Sequence, residues 1–298
     1  MQRIGFIGAS GLMGHGMAKH LRTKGFALAL TVHKNRERIA DLLAAGATLA
    51  DSPAALARAS DIVFLCVTGS PQVEAVVAGP EGLLSGAAAG LLIVDTSTAE
   101  PHSTTRLRAQ CESQGVHYID APLARTPVEA EAGRLNVMVG ATDAQFAQLE
   151  PVLRAFAENV FHVGQPGAGH VIKLLNNFIA QAQCTAVAEA FAVGQKAGVD
   201  LKQLMALISA GGVNSGLIQL MARSLDGDLG GLMFALDNAR KDIRYYTHLA
   251  EGLGVPTLVG EGVHQSLTLA CSLGFGDKYV ASLVEAQEKL TGAKIIPR

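Results

Sequence analysis

The sequence is poor in residues that mark several specialised classes of protein. Its 298 residues include no tryptophan, 5% aromatic residues and only four cysteines, Cys66, Cys111, Cys184 and Cys271. Because these cysteines are far apart in the chain, we expect neither a disulfide framework nor a zinc site, and a reducing cytoplasm is the expected compartment. No apolar run approaches the roughly 20 residues that a membrane-spanning helix needs, so no membrane partner is expected.

Neither sign of charge is in excess. Lysine and arginine number 24 and aspartate and glutamate 26, which gives a formal net charge of -2. Such a balance provides no general attraction for nucleic acid, and we expect none as a partner. Apolar residues make up 49% of the chain, which is enough to build a large core, and the length favours two domains.

The two halves of the chain have different sequence patterns. In the first half, short apolar runs alternate with helical patterns, as in a parallel sheet that is covered by helices on both faces. The predicted strands are 3–7, 27–33, 61–67, 91–95, 116–121 and 135–139, and the predicted helices are 11–24, 36–45 and 101–114. Later in the chain only helices are predicted, at 168–197, 201–209, 234–251 and 255–273. We therefore predict an α/β domain with a doubly wound Rossmann sheet over residues 1–163 and an all-helical domain over residues 164–298.

Three of the 33 glycines fall where the first strand meets the first helix, in the segment GASGLMG at residues 8–14. A dinucleotide-binding loop needs glycine there because the chain turns sharply and its backbone touches the pyrophosphate. The following helix offers free N–H groups to the same anion. The spacing of the first two glycines is one residue longer than in the usual motif. The predicted cofactor-binding residues of this loop are Gly8, Ser10, Gly11, Leu12, Met13 and Gly14.

The end of the second predicted strand distinguishes between the two nicotinamide cofactors. NAD enzymes commonly place an acidic residue there for the ribose hydroxyls, whereas this chain has Lys34, Asn35 and Arg36. Two cations and an amide suit a 2′-phosphate. We therefore predict cofactor contacts from these three residues and a preference for NADP over NAD.

The long helix predicted at 168–197 carries two polar groups in an apolar setting. Lys173 and Asn177 are four residues apart and therefore share one helix face. The roughly opposite face is apolar, with Val171, Leu174 and Phe178. From these observations alone, Lys173 is either a solvated charge or a group with a chemical role.

The motifs, taken in chain order, resemble those of the β-hydroxyacid dehydrogenases, also called the 3-hydroxyisobutyrate dehydrogenase family, over nearly the whole chain. The resemblance rests on the glycine loop with Met17-Ala18, Asp95-Thr96-Ser97-Thr98, Asp120-Ala121-Pro122, Gly167-Ala168-Gly169 with Lys173 and Asn176-Asn177, Lys241-Asp242, and GFGD at residues 274–277.

This resemblance implies a fold like that of 6-phosphogluconate dehydrogenase. It also implies hydride transfer between NADP(H) or NAD(H) and a short acid semialdehyde or 3-hydroxy acid. Lys173 would act as general acid and base, and Asn177 would orient the substrate or the lysine. Further candidates are Ser97 at the substrate and Val67, Thr68, Thr98 and Lys241 at the cofactor. A small anionic aldehyde or hydroxy acid is the expected partner.

The chain departs from most of the family after Asp-Ala-Pro. Where members usually continue Val-Ser-Gly-Gly, residues 123–126 are Leu-Ala-Arg-Thr. The chain thereby resembles the sulfolactaldehyde reductase branch, which uses this arginine on a sulfonate, although Ala180 replaces that branch's serine. Arg125 and Thr126 are therefore predicted to bind the acid group of the substrate. In the alternative, Arg125 is a surface cation that pairs with Glu129 or Glu131.

Three functions are compatible with these predictions. The first is NADP-dependent reduction of a short acid aldehyde, and the second is oxidation of a 3-hydroxy acid with NAD. The third is a non-catalytic dinucleotide-binding sensor or scaffold. Nine histidines are scattered without metal-ligand spacing, so no metal is expected. The long apolar helix also predicts a homodimer or homotetramer.

Overall fold

A computed structural model describes residues 2–32 and 36–297 of the chain. The chain divides into two compact units, Met1–Lys173 and Leu174–Arg298. The domain boundary that we predict after residue 163 stays a prediction. Within the described ranges, no helix is long and apolar enough to cross a bilayer.

The first unit is built on a sheet of nine strands, counted over the described residues. They are β1 (Arg3–Ile7), β2 (Ala27–Thr31), β3 (Thr48–Leu49), β4 (Ile62–Leu65), β5 (Leu92–Asp95), β6 (His117–Asp120), β7 (Leu123–Ala124), β8 (Leu135–Gly140) and β9 (Ala157–Gly164). The order across the sheet is β3-β2-β1-β4-β5-β6-β8-β7, with β9 paired to β8. Strands β1 to β6 are parallel and progress outward from β1 in both directions, which confirms the predicted doubly wound arrangement.

Helices cover the sheet on both faces. Those of the first unit are α1 (Gly14–Thr23), α2 (Ala40–Ala44), α3 (Pro53–Arg58), α4 (Ser70–Ala78), α5 (Pro101–Glu112), α6 (Pro127–Glu131) and α7 (Asp143–Leu153), with 3-10 turns at Arg36–Ile39 and Leu83–Ser85. Alternate residues of the central strands enter different clusters: Phe6 and Phe64 pack on one face, and Val63 and Leu65 on the other. Burial on both faces explains why these strands are uninterrupted apolar runs in the sequence.

One edge of the sheet is not parallel, contrary to what the apolar runs predict. Strand β8 runs antiparallel to β6 and β7 and parallel to β9. A parallel neighbour would need a long crossover connection, whereas the segment between β6 and β8 holds only β7 and the five-residue α6. The chain therefore doubles back beside β6.

Among its described residues, the second unit contains helices joined by loops, with one isolated β-bridge between Ala235 and Tyr279. Helix α8 (Ala168–Lys196) is a single helix of 29 residues that begins in the first unit and continues into the second. The remaining helices are α9 (Leu201–Ala210), α10 (Gly216–Ala222), α11 (Leu236–Gly252), α12 (Leu258–Ala270) and α13 (Leu283–Thr291), with short helical turns at Arg223–Asp226, Cys271–Phe275 and Val280–Ser282. They enclose a core that includes Phe191, Met221, Leu236, Ile243 and Leu267.

Candidate active site

The loop between β1 and α1 can be built only with glycine at two positions. Gly8 has a φ of 98°, and a Cβ atom there would lie 2.1 Å from the carbonyl oxygen of Cys66. At Gly14, a Cβ atom would lie 2.2 Å from the carbonyl oxygen of Gly8. The loop therefore turns in a space that admits no side chain at either position.

The start of α1 offers backbone N–H groups beside this loop. Met13, the residue before the helix, makes no capping hydrogen bond with its side chain. The amide of Gly11 donates to the carbonyl of Gly8 at 2.9 Å, which closes the turn. Leu12 is 46% exposed, and Ser10 is half-buried. Uncapped amides at a helix N-terminus next to a glycine turn fit the pyrophosphate of a dinucleotide, so the predicted loop residues lie together and suit the cofactor.

The residues predicted to select between NADP and NAD are only partly visible. Lys34 and Asn35 lie outside the described residues. Arg36 is exposed and begins the 3-10 turn that follows β2 along the chain. Its contact with a 2′-phosphate stays a prediction.

Hydroxyl groups join the ends of β4 and β5. The amide of Val67 donates to Ser97 Oγ at 3.0 Å, and the Thr96 hydroxyl donates to the Leu65 carbonyl at 2.5 Å. Ser97 is only 3% exposed, so the residue predicted to bind substrate supports the Val67 backbone in this structure. Thr68 is exposed, beyond the carboxyl end of β4, the edge at which open α/β sheets bind ligands.

A buried carboxylate holds the start of α8 against the sheet. Asp120 ends β6, is 1% exposed, and accepts hydrogen bonds from the amides of Gly167 at 2.6 Å and His170 at 3.0 Å. Lys173 is half-buried and lies about one turn beyond His170. The sequence places Asp120 in a motif without indicating this contact. No local sequence pattern identifies it, because it joins residues 47 positions apart.

In the second unit, Asn177 and Lys241 share one buried carboxylate. Asn177 Nδ2 donates to Asp242 Oδ2 at 2.6 Å, and Lys241 Nζ donates to Asp242 Oδ1 at 2.7 Å. Asp242 is 1% exposed, and the ammonium of Lys241 also lies 4.9 Å from the ring centroid of Tyr245. Two predicted site residues are thus brought together by Asp242, and the sequence pattern does not predict this role for it.

Arg125 and Thr126 are both engaged within the first unit. The Arg125 guanidinium forms an ion pair with Glu158 and donates to the Arg134 carbonyl at 2.5 Å. It pairs with neither Glu129 nor Glu131 among the ion pairs of the described residues. Thr126 caps α6: its hydroxyl donates to Glu129 at 2.6 Å and accepts from the amide of Val128. Contacts of either residue with substrate stay predictions.

The described residues offer neither an activated thiol nor a metal cluster beside the loop. Burial raises the pKa of the Cys66 thiol to about 11, so it is protonated at neutral pH and a poor nucleophile. In the described ranges, no three His, Cys, Asp or Glu side chains are grouped to hold a metal ion.

Comparisons with known proteins agree with this geometry. Residues 3–164 match the NAD-binding domain of 6-phosphogluconate dehydrogenase, and residues 167–286 match the NAD-binding domain of NADP-dependent 3-hydroxyisobutyrate dehydrogenase. The chain is 32% identical to 2-(hydroxymethyl)glutarate dehydrogenase of Eubacterium barkeri, over 98% of this chain and 97% of the relative. It is 29% identical to 3-sulfolactaldehyde reductase of Escherichia coli K12, over 96% and 95% of the two chains. Among solved structures, a 3-hydroxyisobutyrate dehydrogenase from Salmonella typhimurium superimposes with a TM-score of 0.83 at 27% identity, over 96% and 99% of the chains.

Proposed function

The chain belongs to the β-hydroxyacid dehydrogenase family, and on that premise we propose that it reduces a short acid semialdehyde with Lys173 as its proton donor. As members of this family do, it transfers hydride between NAD(P)(H) and a short acid semialdehyde or 3-hydroxy acid, acting on the CH–OH group. The continuity of α8 is the observation that supports the role of Lys173. Because this helix is continuous from Ala168 to Lys196, it keeps Lys173 and Asn177 one turn apart on one face.

The chemistry divides between cofactor and protein. The nicotinamide, when bound, supplies or accepts the hydride. The protonated Lys173 amine donates a proton to the oxygen of the aldehyde as negative charge develops there, and its own charge stabilises that oxygen. In the oxidative direction the neutral amine takes the proton of the substrate hydroxyl.

Asn177 is held so that it can orient a substrate or Lys173. One N–H of its amide donates a hydrogen bond to Asp242, and its amide oxygen accepts one from the Asn176 amide at 3.2 Å. The hydrogen bond to Asp242 uses one N–H of the Asn177 amide, and the second N–H of the same amide can donate to a substrate oxygen. A buried, doubly restrained amide loses little entropy on binding, which favours a defined substrate orientation.

Replacement of Lys173 by Ala tests this function directly. We expect kcat to fall on the order of 100-fold or more, because the proton donor and its charge are both lost, while the dissociation constant of NADPH changes little. Lys196→Ala is the matched control, since Lys196 is an exposed lysine at the far end of the same helix. Turnover of Lys173→Ala within a few-fold of wild type would remove the lysine from the mechanism.

We also propose NADP as the preferred cofactor and an acid group as the feature that Arg125 recognises. Arg36, with Lys34 and Asn35, supports the first, and the guanidinium of Arg125 supports the second. Assays with NADPH and NADH against aldehydes that bear a carboxylate or a sulfonate measure both preferences. If NAD+ supports oxidation of 3-hydroxy acids better than NADPH supports reduction of the aldehydes, the oxidative function replaces this one. Absence of hydride transfer across the whole panel supports a sensor or scaffold.

We further propose that the protein forms a homodimer or homotetramer and acts in the cytoplasm. Helix α8 exposes apolar side chains in the second unit, including Ile179 at 56% and Val193 at 69% exposure, which supports a homodimer or homotetramer. Light scattering after size-exclusion chromatography measures the oligomeric state. The four cysteines are free thiols, which is consistent with the cytoplasm that we propose as its location.

A further inference from the structure

Two buried carboxylates stand side by side at the carboxyl end of the sheet. Asp95 ends β5 and Asp120 ends β6, and they are paired residues of these adjacent parallel strands. Asp95 is 0% exposed and Asp120 is 1% exposed. Burial of a carboxylate is costly unless hydrogen-bond donors surround it, so the donors show what each acid holds in place.

The donors to Asp120 come from the start of α8. Its Oδ1 atom accepts from the Gly167 amide and its Oδ2 atom from the His170 amide. Two attachments to one planar group fix both the distance of the helix start from β6 and the rotation of the helix about its axis. A negative charge is also favoured at a helix N-terminus, where the unpaired amides carry partial positive charge.

Small residues allow the helix to come this close. A Cβ atom at Gly169 would be 2.6 Å from the carbonyl oxygen of Met138, and one at Gly140 would be 2.7 Å from Asp120 Oδ2. The Arg108 guanidinium donates to the Pro166 carbonyl at 2.7 Å, which secures the segment just before the helix. The first turn of α8 therefore has little freedom to shift along the sheet.

Asp95 reaches the same turn through the side chain of His170. Asp95 Oδ1 accepts from the Ser97 amide at 2.9 Å, and Oδ2 accepts from the Tyr118 hydroxyl at 2.6 Å. His170 is 0% exposed, with Nδ1 2.7 Å from the Thr104 hydroxyl and Nε2 3.7 Å from Asp95 Oδ2. Burial, followed by the charge of Asp95, raises the pKa of Tyr118 well above its usual range, so the phenol remains a donor.

His170 Nε2 faces the carboxylate of Asp95. This nitrogen has no hydrogen-bond partner among the described residues. An N–H group at this position would be attracted by the carboxylate, whereas a lone pair would be repelled. At 3.7 Å the attraction is a restraint on the ring and not a hydrogen bond.

We propose that Asp120, together with Asp95 acting through His170, positions the first turn of α8 and thereby the amine of Lys173. Asp120 acts through hydrogen bonds to the backbone at the start of the helix, and Asp95 acts through its charge beside the His170 ring. Neither acid touches the reacting atoms in this role. The inference rests on the proposed role of Lys173. Displacement of a reacting group by about 1 Å can cost on the order of 100-fold in rate, so a small shift of the turn is enough to affect turnover.

Replacement of Asp120 by Asn tests the proposal, because it keeps the shape and replaces one acceptor oxygen by an amide donor. We expect kcat to fall about 10- to 100-fold, with the NADPH dissociation constant and the substrate KM nearly unchanged. Hydrogen exchange of the amides at 167–170 should become faster. Asp200→Asn is the matched control, because Asp200 caps α9 through the amide of Lys202 at 2.8 Å and lies far from α8's first turn in the chain; its kcat should equal that of wild type.

A double variant separates this inference from the proposed function. If Asp120 acts through Lys173, Asp120→Asn should slow the Lys173→Ala enzyme no further. If Lys173→Ala is inactive and Asp120→Asn is fully active, the positioning role alone is overturned. If Lys173→Ala is active, the proposed function is overturned. If hydrogen exchange of the amides at 167–170 is unchanged in Asp120→Asn, the anchoring of the helix start by Asp120 is overturned. Should Asp120→Asn fail to fold, His170→Asn keeps a polar atom near Nδ1 and removes Nε2; it should lower kcat without weakening cofactor binding, and an unchanged kcat would overturn the proposal.

Discussion

Arg125 occupies a backbone conformation that glycine adopts without strain. Its φ of 82° makes it the one non-glycine residue with positive φ in the described part of the chain. For an L-residue this left-handed region costs roughly 1–2 kcal/mol. The ion pair with Glu158, whose side chain is 51% exposed, is of the partly solvated kind that contributes at most about 1 kcal/mol. The ion pair and the hydrogen bond to the Arg134 carbonyl are together of about the same size as this strain, so Arg125 adds little net stability, which favours a role in binding.

Arg125→Gly should therefore change substrate preference more than stability. We expect kcat/KM for carboxylate and sulfonate aldehydes to fall about 10- to 100-fold, since charge-assisted hydrogen bonds contribute about 1.5–3 kcal/mol. A neutral aldehyde of similar size should react as it does with wild type. The free energy of unfolding should change little, because relief of strain offsets loss of the ion pair. Steady-state kinetics on the three aldehydes, with urea unfolding, measure these outcomes.

Glu158→Gln is the control for this prediction, because it removes the ion pair and keeps the guanidinium. Its kcat/KM for the anionic aldehydes should equal or exceed the wild-type value. Identical kinetics of Arg125→Gly and wild type on all three aldehydes would place Arg125 outside the substrate site.

The residue types of the site were predictable, but their partners were not. The glycine loop is recognisable because the positive φ of Gly8 and the close approach of the Gly8 carbonyl to Gly14 exclude other residues at both positions. The bond from Asp120 to Gly167 joins residues 47 positions apart, and the bond from Asn177 to Asp242 joins residues 65 positions apart. Which strand end faces which helix depends on tertiary packing, and local sequence patterns carry no signal for it.

At the scale of secondary structure, the longest helix is predicted almost to the residue, whereas several elements are absent from the prediction, including α3, α6, the eleven-residue α7 and the eight-residue β9. Helix α8 is found within one residue of the predicted 168–197, because eight turns of apolar periodicity outweigh local exceptions. Helices α3 and α6 have six and five residues, too few for a periodic pattern. Their caps were nevertheless visible: Ser52 and Thr126 each precede a proline in the first helical turn.

Two capping boxes allow the structural and functional roles of Thr126 to be separated. Thr126 with Glu129 caps α6, and Thr142 with Gln145 caps α7, in the same reciprocal arrangement. Thr126→Ala and Thr142→Ala should each lower the free energy of unfolding by about 1 kcal/mol. Only Thr126→Ala should also raise KM for an acid aldehyde, if Thr126 binds substrate as predicted. Urea unfolding and steady-state kinetics measure both effects. Equal KM values for the two variants would show that Thr126 caps α6 and does not bind substrate.

At the scale of the whole molecule, the net charge of -2 conceals local networks that join separate elements. His15 of α1 lies between two carboxylates: Nδ1 is 2.6 Å from Glu131 of α6, and Nε2 is 3.1 Å from Asp41 of α2. Lys19 Nζ donates to the other oxygen of Glu131 at 3.2 Å. Three helices around the glycine loop are therefore tied by charges that are placed in one patch of a nearly neutral molecule.

This patch predicts a stability that depends on pH. Burial disfavours the charged form of His15, but hydrogen bonds to Glu131 and Asp41 outweigh it and raise the pKa of His15. Burial likewise opposes ionisation of Asp41 and Glu131, yet their contacts with His15, and of Glu131 with Lys19, lower the pKa of both carboxyls. A raised histidine pKa contributes stability that is complete below the unfolded value of about 6.5 and is lost as pH rises through the folded value. The lowered carboxyl pKa values contribute stability above the unfolded values of about 4, which is lost as pH falls through the folded values.

The carboxyl and histidine contributions are both complete only above the unfolded pKa values of the carboxyls and below that of histidine. The free energy of unfolding of wild type should therefore exceed that of His15→Gln most between about pH 4.5 and 6.5. The difference should shrink as pH rises through the folded pKa of His15, because the neutral imidazole keeps only its hydrogen bonds. Urea unfolding of both proteins at intervals from pH 4 to 9 measures it. Lys24→Gln, a substitution of an exposed cation at the end of α1, controls for the loss of one positive charge and should give a difference that is flat with pH. A His15→Gln difference equally flat across this range would show that the three helices are held together without the charge of His15.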